Sequence, residues 1–299
     1  MADRIELPMI NLCPTMRCNL SCKLCGVLVP HYSCRPHMSL AEFADTLRAV
    51  FEIADHVGKL QITGGEPFLH RELPEMIDEC FKHSGNFDRL WLFTNCAVPP
   101  APRLIGALRG HKSKVLVHCS DYGAKPEVAS MLLAALSENG IEYRYQKYYG
   151  EDQYYGGWVD QGDFVPHGRA EAELRDVFAR CSHVRRGGSW YARGGQMHWC
   201  GRSARGCEVG KVPLRAEDSL DMLAGSADER RARLRELMRA EYILACDYCN
   251  GLYGSEDGGA RRPAGEQMAG AQSGEAQAAS AQMPVEQAAG EQTVGGQMA

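Results

Sequence analysis

Short apolar runs alternate with helical patterns through the first 148 residues, and this alternation limits the possible folds more than any other feature. The strand-like runs are Pro8–Leu12, Lys59–Thr63, Arg89–Thr94, Lys114–Ser120 and Ile141–Tyr148. The helical patterns are Ser39–Val57, Leu73–His83, Pro102–Arg109 and Pro126–Asn139. Such alternation indicates parallel βαβ units, so we predict an α/β fold. The active site is then expected at the carboxyl ends of the strands.

The composition changes twice after this part of the chain. Residues 149–168 are polar, aromatic and glycine-rich, which is typical of a loop over a barrel mouth. Residues 169–180 have a helical pattern, and residues 181–253 are rich in Cys, Arg and Gly, with a further helical pattern near Ala227–Ala240. No aromatic residue or cysteine follows Tyr253, so the rest cannot bury enough apolar surface to fold. We predict a barrel over residues 1–168, a second domain over residues 169–254 and a disordered low-complexity tail over residues 255–299.

Charge and cysteine content narrow the class of protein. The net charge of −5 and the pI near 6.1 give no basic field for a nucleic acid partner. No apolar run is long enough to cross a membrane, and the first residues lack the apolar segment of a signal peptide, so we expect a cytoplasmic protein. Thirteen cysteines in a reducing compartment favour metal ligands or catalytic thiols over a disulfide scaffold.

Cys18, Cys22 and Cys25 follow the first strand with the spacing Cys-x3-Cys-x2-Cys. Three thiolates on one tight loop can hold three irons of a cubane cluster, for which thiolates are the usual ligands. The fourth iron then keeps an open coordination site, which is what lets a metal centre bind a substrate or a cofactor. Structural zinc is the alternative, and Cys34 or His31 would supply its fourth ligand.

This motif after a first strand resembles the signature of the radical S-adenosylmethionine (SAM) superfamily. The resemblance implies a partial (β/α)6 TIM-like barrel with a [4Fe–4S] cluster whose open iron chelates SAM. It also implies a flavodoxin- or ferredoxin-type electron donor. The reduced cluster then cleaves SAM to a 5′-deoxyadenosyl radical, which abstracts a hydrogen atom from the substrate. The resemblance covers about residues 8–148 and departs from the family at Leu24, where an aromatic residue usually precedes the third cysteine.

A second motif supports the resemblance. Thr63–Pro67 reads Thr-Gly-Gly-Glu-Pro and is similar to the family's Gly-Gly-Glu-Pro motif after the second strand. Gly64 and Gly65 allow the backbone to approach a ligand closely. The resemblance implies that the Glu66 carboxylate binds the ammonium group of SAM in a charge-assisted bond.

Polar residues and two cysteines end the third and fourth strands. The resemblance implies SAM contacts from Asn95, from Ser120 at the ribose and from Asp121, although such residues are also common turn formers and helix caps. Cys96 and Cys119 stand beside them and are candidate hydrogen-atom donors to a substrate radical, with packing as the alternative.

The second region carries its own cysteine set, formed by Cys181, Cys200, Cys246 and Cys249. This set resembles the twitch or SPASM-like extension of radical SAM enzymes, which implies one auxiliary [4Fe–4S] cluster. Cys207 is a possible fifth member, and a structural zinc ion is the alternative.

Basic residues dominate residues 180–215, where Glu208 is the single acid. These cations could grip a phosphate or carboxylate of the substrate, or offset the thiolates, or face solvent. The aromatic side chains of Tyr148, Tyr154, Tyr155 and Trp158 either line a substrate entrance or pack on the barrel rim.

These features predict a radical SAM enzyme that abstracts hydrogen from a small polar substrate, such as a sugar, a nucleotide or a phosphorylated molecule, to oxidise or epimerise it. A peptide-modifying epimerase or cross-linking enzyme is the alternative. A non-catalytic iron–sulfur or zinc protein is a second alternative, against which the Gly-Gly-Glu-Pro motif argues.

Overall fold

Apolar runs bounded by turn residues form the strands of one mixed sheet in the computed structural model, which describes residues 4–22, 24–154 and 160–252. The strands are β1 (Glu6–Thr15), β2 (His56–Gly64), β3 (Phe87–Thr94), β4 (Val115–Asp121), β5 (Tyr143–Lys147), β6 (Trp190–Arg193), β7 (Gln196–His198) and β8 (Ser219–Asp221). Their order in the sheet is β5-β4-β3-β2-β1-β6-β7-β8. β1 to β6 pair in parallel, and β7 and β8 pair antiparallel. The predicted α/β fold is confirmed.

The helices are α1 (Leu40–Ile53), α2 (Leu73–Phe81), α3 (Pro102–Gly110), α4 (Pro126–Glu138), α5 (Glu171–Arg180), α6 (Ser182–Arg185), α7 (Gly201–Glu208) and α8 (Ala227–Met238). Helices α1 to α6 lie between the parallel strands in the chain, α7 lies between β7 and β8, and α8 follows β8. The helices α1 to α4 occupy the four predicted helical segments. Because β1 to β4 run in parallel, the cysteine loop and the turns after β2, β3 and β4 lie at the same end of the sheet.

The helix α1 shows how local sequence sets an element. Ser39 Oγ accepts a hydrogen bond from Glu42 N, and Ser39 N donates to Glu42 Oε2 at 2.7 Å, which completes a capping box. Phe43, Leu47 and Val50 follow at helical spacing and are buried. The helix ends at Ile53 rather than at the predicted Val57, because β2 begins at His56.

The short strand β6 joins the second region to the first. It pairs in parallel with β1, placing Ile10 opposite Trp190. The side chain of Asn11 donates to Ser189 Oγ at 3.2 Å and to Trp190 O at 2.9 Å. Trp190 is fully buried and stacks on Trp199, with ring centroids 4.4 Å apart. The sheet therefore continues across the predicted domain boundary at residue 168.

Two predicted features fall on parts of the chain that lie outside the described residues: the tail over 255–299 and the aromatic residues Tyr155 and Trp158. Within the described ranges, no helix has the length and apolarity needed to span a membrane.

Candidate functional site

The three cysteines of the first motif lie on the loop that leaves β1. Leu20 N donates to Cys18 Sγ at 3.4 Å, and Asn95 Nδ2 donates to the same sulfur at 3.8 Å. Burial, followed by the charge of Glu66, raises the pKa of the Cys18 thiol to about 12. Burial also raises the pKa of the Cys22 thiol, and the charges of Cys25 and Cys18 raise it further. The three sulfurs are therefore close enough to repel one another as thiolates.

The Gly-Gly-Glu turn after β2 is bonded to the start of this loop. Gly65 N donates to Thr15 O at 2.8 Å, and Glu66 N donates to Arg17 O at 2.8 Å. A Cβ on Gly65 would lie 2.1 Å from Arg17 O, and Gly64 adopts a φ of 132°. The two glycines are thus required by close approach to the chain's own backbone, whereas the sequence analysis assigned that approach to a ligand.

The Glu66 side chain is buried with neutral donors around it. Phe68 N donates to Oε1 at 2.9 Å, and Asn95 N donates to Oε2 at 2.6 Å. Desolvation nevertheless raises the pKa of the Glu66 carboxyl to about 7. No Lys or Arg among the described residues forms an ion pair with it, and each carboxylate oxygen can accept two hydrogen bonds. A cationic ligand group would match this carboxylate electrostatically.

Asn95 and Ser120 both lie near the cysteine loop, but they make different contacts. Asn95 Nδ2 also donates to Asn19 Oδ1 at 2.8 Å, so Asn95 is held between the loop and Glu66. Ser120 lies near the phenols of Tyr122 and Tyr148, whose rings stack with centroids 5.0 Å apart. These two rings form a small apolar cluster with Leu20, packed against Cys18 and Cys22. Tyr122 was not among the predicted site residues, although it directly follows Ser120 and Asp121 at the end of the fourth strand.

Asp121 supports the next turn. Its Oδ1 accepts from Gly123 N at 2.8 Å, and its Oδ2 accepts from Tyr145 OH at 2.9 Å. In this structure Asp121 therefore forms the bonds of a turn former, which was the alternative to a contact with SAM.

Cys96 and Cys119 lie in the main apolar core, and the Cys96 thiol donates to Thr94 O at 4.0 Å. They are 1% and 0% exposed, respectively. This environment fits the packing alternative better than a role as hydrogen-atom donors. Cys96 has a φ of 60°, in the left-handed region that glycine adopts without strain.

We expect Cys96→Gly to be more stable than Cys96→Ala by about 1 kcal/mol, because both variants lose the buried thiol but only glycine relieves the left-handed strain. Urea unfolding of both variants measures the difference. Cys80 is a matched control, since it is equally buried but lies inside α2. At that position the Gly variant should be less stable than the Ala variant by about 1 kcal/mol. The same order of stability at both positions would contradict the strain argument.

The second cysteine set converges from three separate segments. Cys181 lies between α5 and α6, Cys200 caps α7 with its sulfur 3.5 Å from Ser203 N, and Cys246 and Cys249 flank a short turn. All four line one cavity of about 40 Å³. Burial raises the pKa of the Cys200 thiol, and the charges of Cys181, Cys246 and Cys249 raise it further.

Other candidate ligands lie elsewhere. The Cys207 sulfur faces Pro213 O at 3.8 Å and lines a different cavity, so the second set has four members. Cys34 is exposed, and His31 packs edge-on against Phe164. Over residues 4–22, 24–154 and 160–252, no three or more His, Cys, Asp or Glu side chains are arranged to hold a single metal ion.

The basic stretch supplies a partly exposed hydrogen-bond network that reaches the connection carrying the first cysteine set. Glu208 accepts hydrogen bonds from Arg205 at 2.8 Å and from Arg193 at 2.9 Å, and it also bonds the hydroxyl of Tyr32 on the first cysteine loop. Tyr191 packs against the same buried cluster of Cys13, Met16 and Val29 as Cys18 and Cys25 do, and Gly201, next to Cys200, lies close to its hydroxyl. A Cβ on Gly201 would lie 3.0 Å from that oxygen.

Comparison with known proteins finds a local relative and several distant folds. No protein-family model matches the chain. A probable GTP 3′,8-cyclase of Methanopyrus kandleri is 38% identical over 90 residues, which is 30% of this chain and 27% of the cyclase. The chain therefore matches about a quarter of that relative's length.

The solved structures are more distant in sequence. BtrN in complex with AdoMet and 2-DOIA has a TM-score of 0.48 and 15% identity, over 82% of this chain and 93% of BtrN. Streptococcus suis SuiB bound to S-adenosylmethionine has a TM-score of 0.41 and 19% identity, over 50% of this chain and 36% of SuiB. The chain resembles the radical SAM superfamily in its cysteine motif and its Gly-Gly-Glu-Pro turn, and it is locally similar to the cyclase.

Proposed function

We propose that this protein is a radical SAM enzyme that removes a hydrogen atom from a small polar substrate and so oxidises or epimerises it. Cys18, Cys22 and Cys25 would hold the SAM-binding cluster. The observation that carries the proposal is the convergence on Cys18 of a buried carboxylate and an amide, those of Glu66 and Asn95.

The residues at this end of the sheet fit both cofactors. The loop sulfurs repel one another as thiolates, and a cationic iron centre would offset that repulsion, because coordinating thiols are deprotonated. The buried Glu66 carboxylate has neutral donors only, so an ammonium group would supply its missing counter-charge. When bound, the cluster and SAM supply the electron and the radical for hydrogen abstraction.

The chain's own residues would orient and shield the reaction. The stacked Tyr122 and Tyr148 cover one side of the cysteine loop and limit the access of water to it. Ser120 lies near both phenols, and its hydroxyl would contact the ribose of SAM. Asn95 is fixed by Glu66 and Asn19, so its amide keeps one position relative to Cys18.

A cavity with charged side chains in its lining supports the proposal of a small substrate. It measures about 270 Å³ and is lined by Tyr191, Arg193, Arg205 and Glu208 among others. Glu208 in this lining bonds the hydroxyl of Tyr32, which lies on the connection that carries the first cysteine set. Its size suits a sugar-sized molecule, and two arginines against one glutamate leave it net positive. An anionic or phosphorylated sugar would match these features.

Cys181, Cys200, Cys246 and Cys249 would hold an auxiliary [4Fe–4S] cluster. The support is that four thiols from distant segments line one buried, otherwise largely apolar cavity. Isolated thiols so placed would repel one another on ionisation, and a cationic centre would remove that cost.

The test is anaerobic reconstitution with iron and sulfide, followed by reaction with SAM and a strong reductant. We expect 5′-deoxyadenosine by mass spectrometry. Deuterated phosphorylated sugars and deuterated peptides can then be compared as donors of deuterium to that product. Protein that holds its full iron yet forms no 5′-deoxyadenosine would refute the proposal, and deuterium from peptides alone would transfer it to the peptide class.

We expect Glu66→Gln to weaken SAM binding roughly tenfold or more, because an ionised partner of the ammonium is lost. The pH dependence gives a second readout. Burial raises the pKa of Glu66 to about 7, so the carboxyl takes up a proton as the pH falls through that value. Wild-type affinity for SAM should then fall between pH 8 and pH 6, whereas the Gln variant should change little. Equilibrium dialysis of the reconstituted proteins checks both, and parallel pH profiles would contradict the role of Glu66.

A further inference from the structure

Arg202 is a buried cation fixed beside the second cysteine set. It lies two residues after Cys200 in α7 and is 5% exposed. Its Nη2 donates to Tyr248 O at 2.7 Å and to Gly162 O at 2.9 Å, and its Nε donates to Tyr248 O at 3.2 Å. The guanidinium centre lies 3.4 Å from the centroid of the Phe164 ring. These contacts leave the planar group a single orientation.

One nitrogen of this group is not used by any of them. Nη1 is buried and has no hydrogen-bond partner among the described residues. A buried charged donor without a partner is costly, so its presence calls for an explanation. The side chain lines the same cavity as the four cysteines, and the charges that act most on it are those of Cys249 and Cys200.

Arg202 differs from the other cations of the basic stretch. Arg193 and Arg205 are paired with Glu208, and Arg215 is 40% exposed with Glu217 as its partner. Among described residues, no carboxylate forms an ion pair with Arg202, although the charges of Asp160 and Asp163 also act on it, after those of Cys249 and Cys200. Its positive charge is therefore available to the thiolates.

We propose that Arg202 sets the reduction potential of the group held by Cys181, Cys200, Cys246 and Cys249, keeping that potential higher than the cysteines alone would give. The inference rests on the proposed auxiliary [4Fe–4S] cluster. Reduction adds one electron to an anionic group, and a fixed cation in a poorly solvated site stabilises the more negative state. A hydrogen bond from Nη1 to a cluster or cysteine sulfur would act in the same direction.

The test uses protein in which Cys18, Cys22 and Cys25 are changed to Ala, so that only the second set can carry a cluster. Redox titration followed by electron paramagnetic resonance gives the midpoint potential. We expect Arg202→Gln to lower that potential clearly and Arg202→Lys to lower it less, since lysine keeps the charge but lacks the planar group. Arg215→Gln removes a charge from the same stretch and should leave the potential unchanged.

The outcomes separate the two proposals. If the triple-alanine background binds zinc or no metal, the auxiliary cluster itself is refuted. If that background holds about four irons and Arg202→Gln keeps both the iron and the potential, the role of Arg202 is overturned. If Arg202→Gln fails to retain iron, the Arg202→Lys variant is compared with the triple-alanine background instead. A lower midpoint potential in the Lys variant supports the role of Arg202, and an unchanged potential overturns it.

Discussion

The variant in which Cys18, Cys22 and Cys25 are all changed to Ala is expected to form no 5′-deoxyadenosine from SAM. Its iron content should fall from about eight to about four atoms per chain, since one of two [4Fe–4S] clusters loses its ligands. The loss of turnover should be complete, because no other described cysteine is placed to replace three sulfurs of that loop. Iron, sulfide and product are measured on anaerobically reconstituted protein.

Cys34→Ala is the matched control for this variant. Cys34 lies in the same connection between β1 and α1 but is exposed, so its loss should change neither iron nor product. A triple variant with undiminished iron would contradict the assignment of the loop. A fall from about four irons to none, with zinc present, would keep the first site and make the second set a zinc site.

A single change at the second set should have a comparably large effect on iron. Cys200→Ser is chosen because the hydroxyl can still accept from Ser203 N and cap α7, so the helix keeps its start while the thiolate ligand is lost. We expect about four irons to be lost while the unfolding free energy of the metal-free protein changes by less than about 1 kcal/mol.

Cys207→Ser controls for the loss of a cysteine from the same helix. Cys207 lies outside the four-cysteine cavity, so the variant should keep all of its iron. Equal loss of iron from both variants would mean that α7, rather than the Cys200 sulfur, supports the second site.

Local patterns were sufficient for the first half of the fold. Apolar runs and capping residues predicted β1 to β5 and α1 to α4, because each depends on neighbours within a turn or a strand. The pattern did not predict β6, β7 and β8, which have four, three and three residues. Runs this short carry no clear period, and the pairing of β6 with β1 joins residues about 180 positions apart, which no local pattern encodes.

The candidate site also combines features that local sequence predicts with contacts that it does not predict. The spacing of three cysteines and the Gly-Gly-Glu-Pro turn are contiguous, so the sequence reveals them. The bonds of Glu66 to Asn95 and of Glu208 to Tyr32 depend on tertiary placement. The sequence left several alternative roles open for the basic stretch. The partners of each side chain distinguish its members, since Arg205 pairs with Glu208, while Arg202 lies beside the thiols.

The parallel pairing of β6 with β1 also determines how the molecule can be divided. A fragment that stops at residue 168 would lack β6, and the outer side of β1 would become an open sheet edge. Such an edge carries unpaired N–H and C=O groups on a strand as apolar as Ile10–Leu12, and it would recruit other chains and aggregate. We therefore expect the residues of β1 to β5 and the second cysteine region to fold as one unit, so a truncated protein should keep residues 189–199 together with β1.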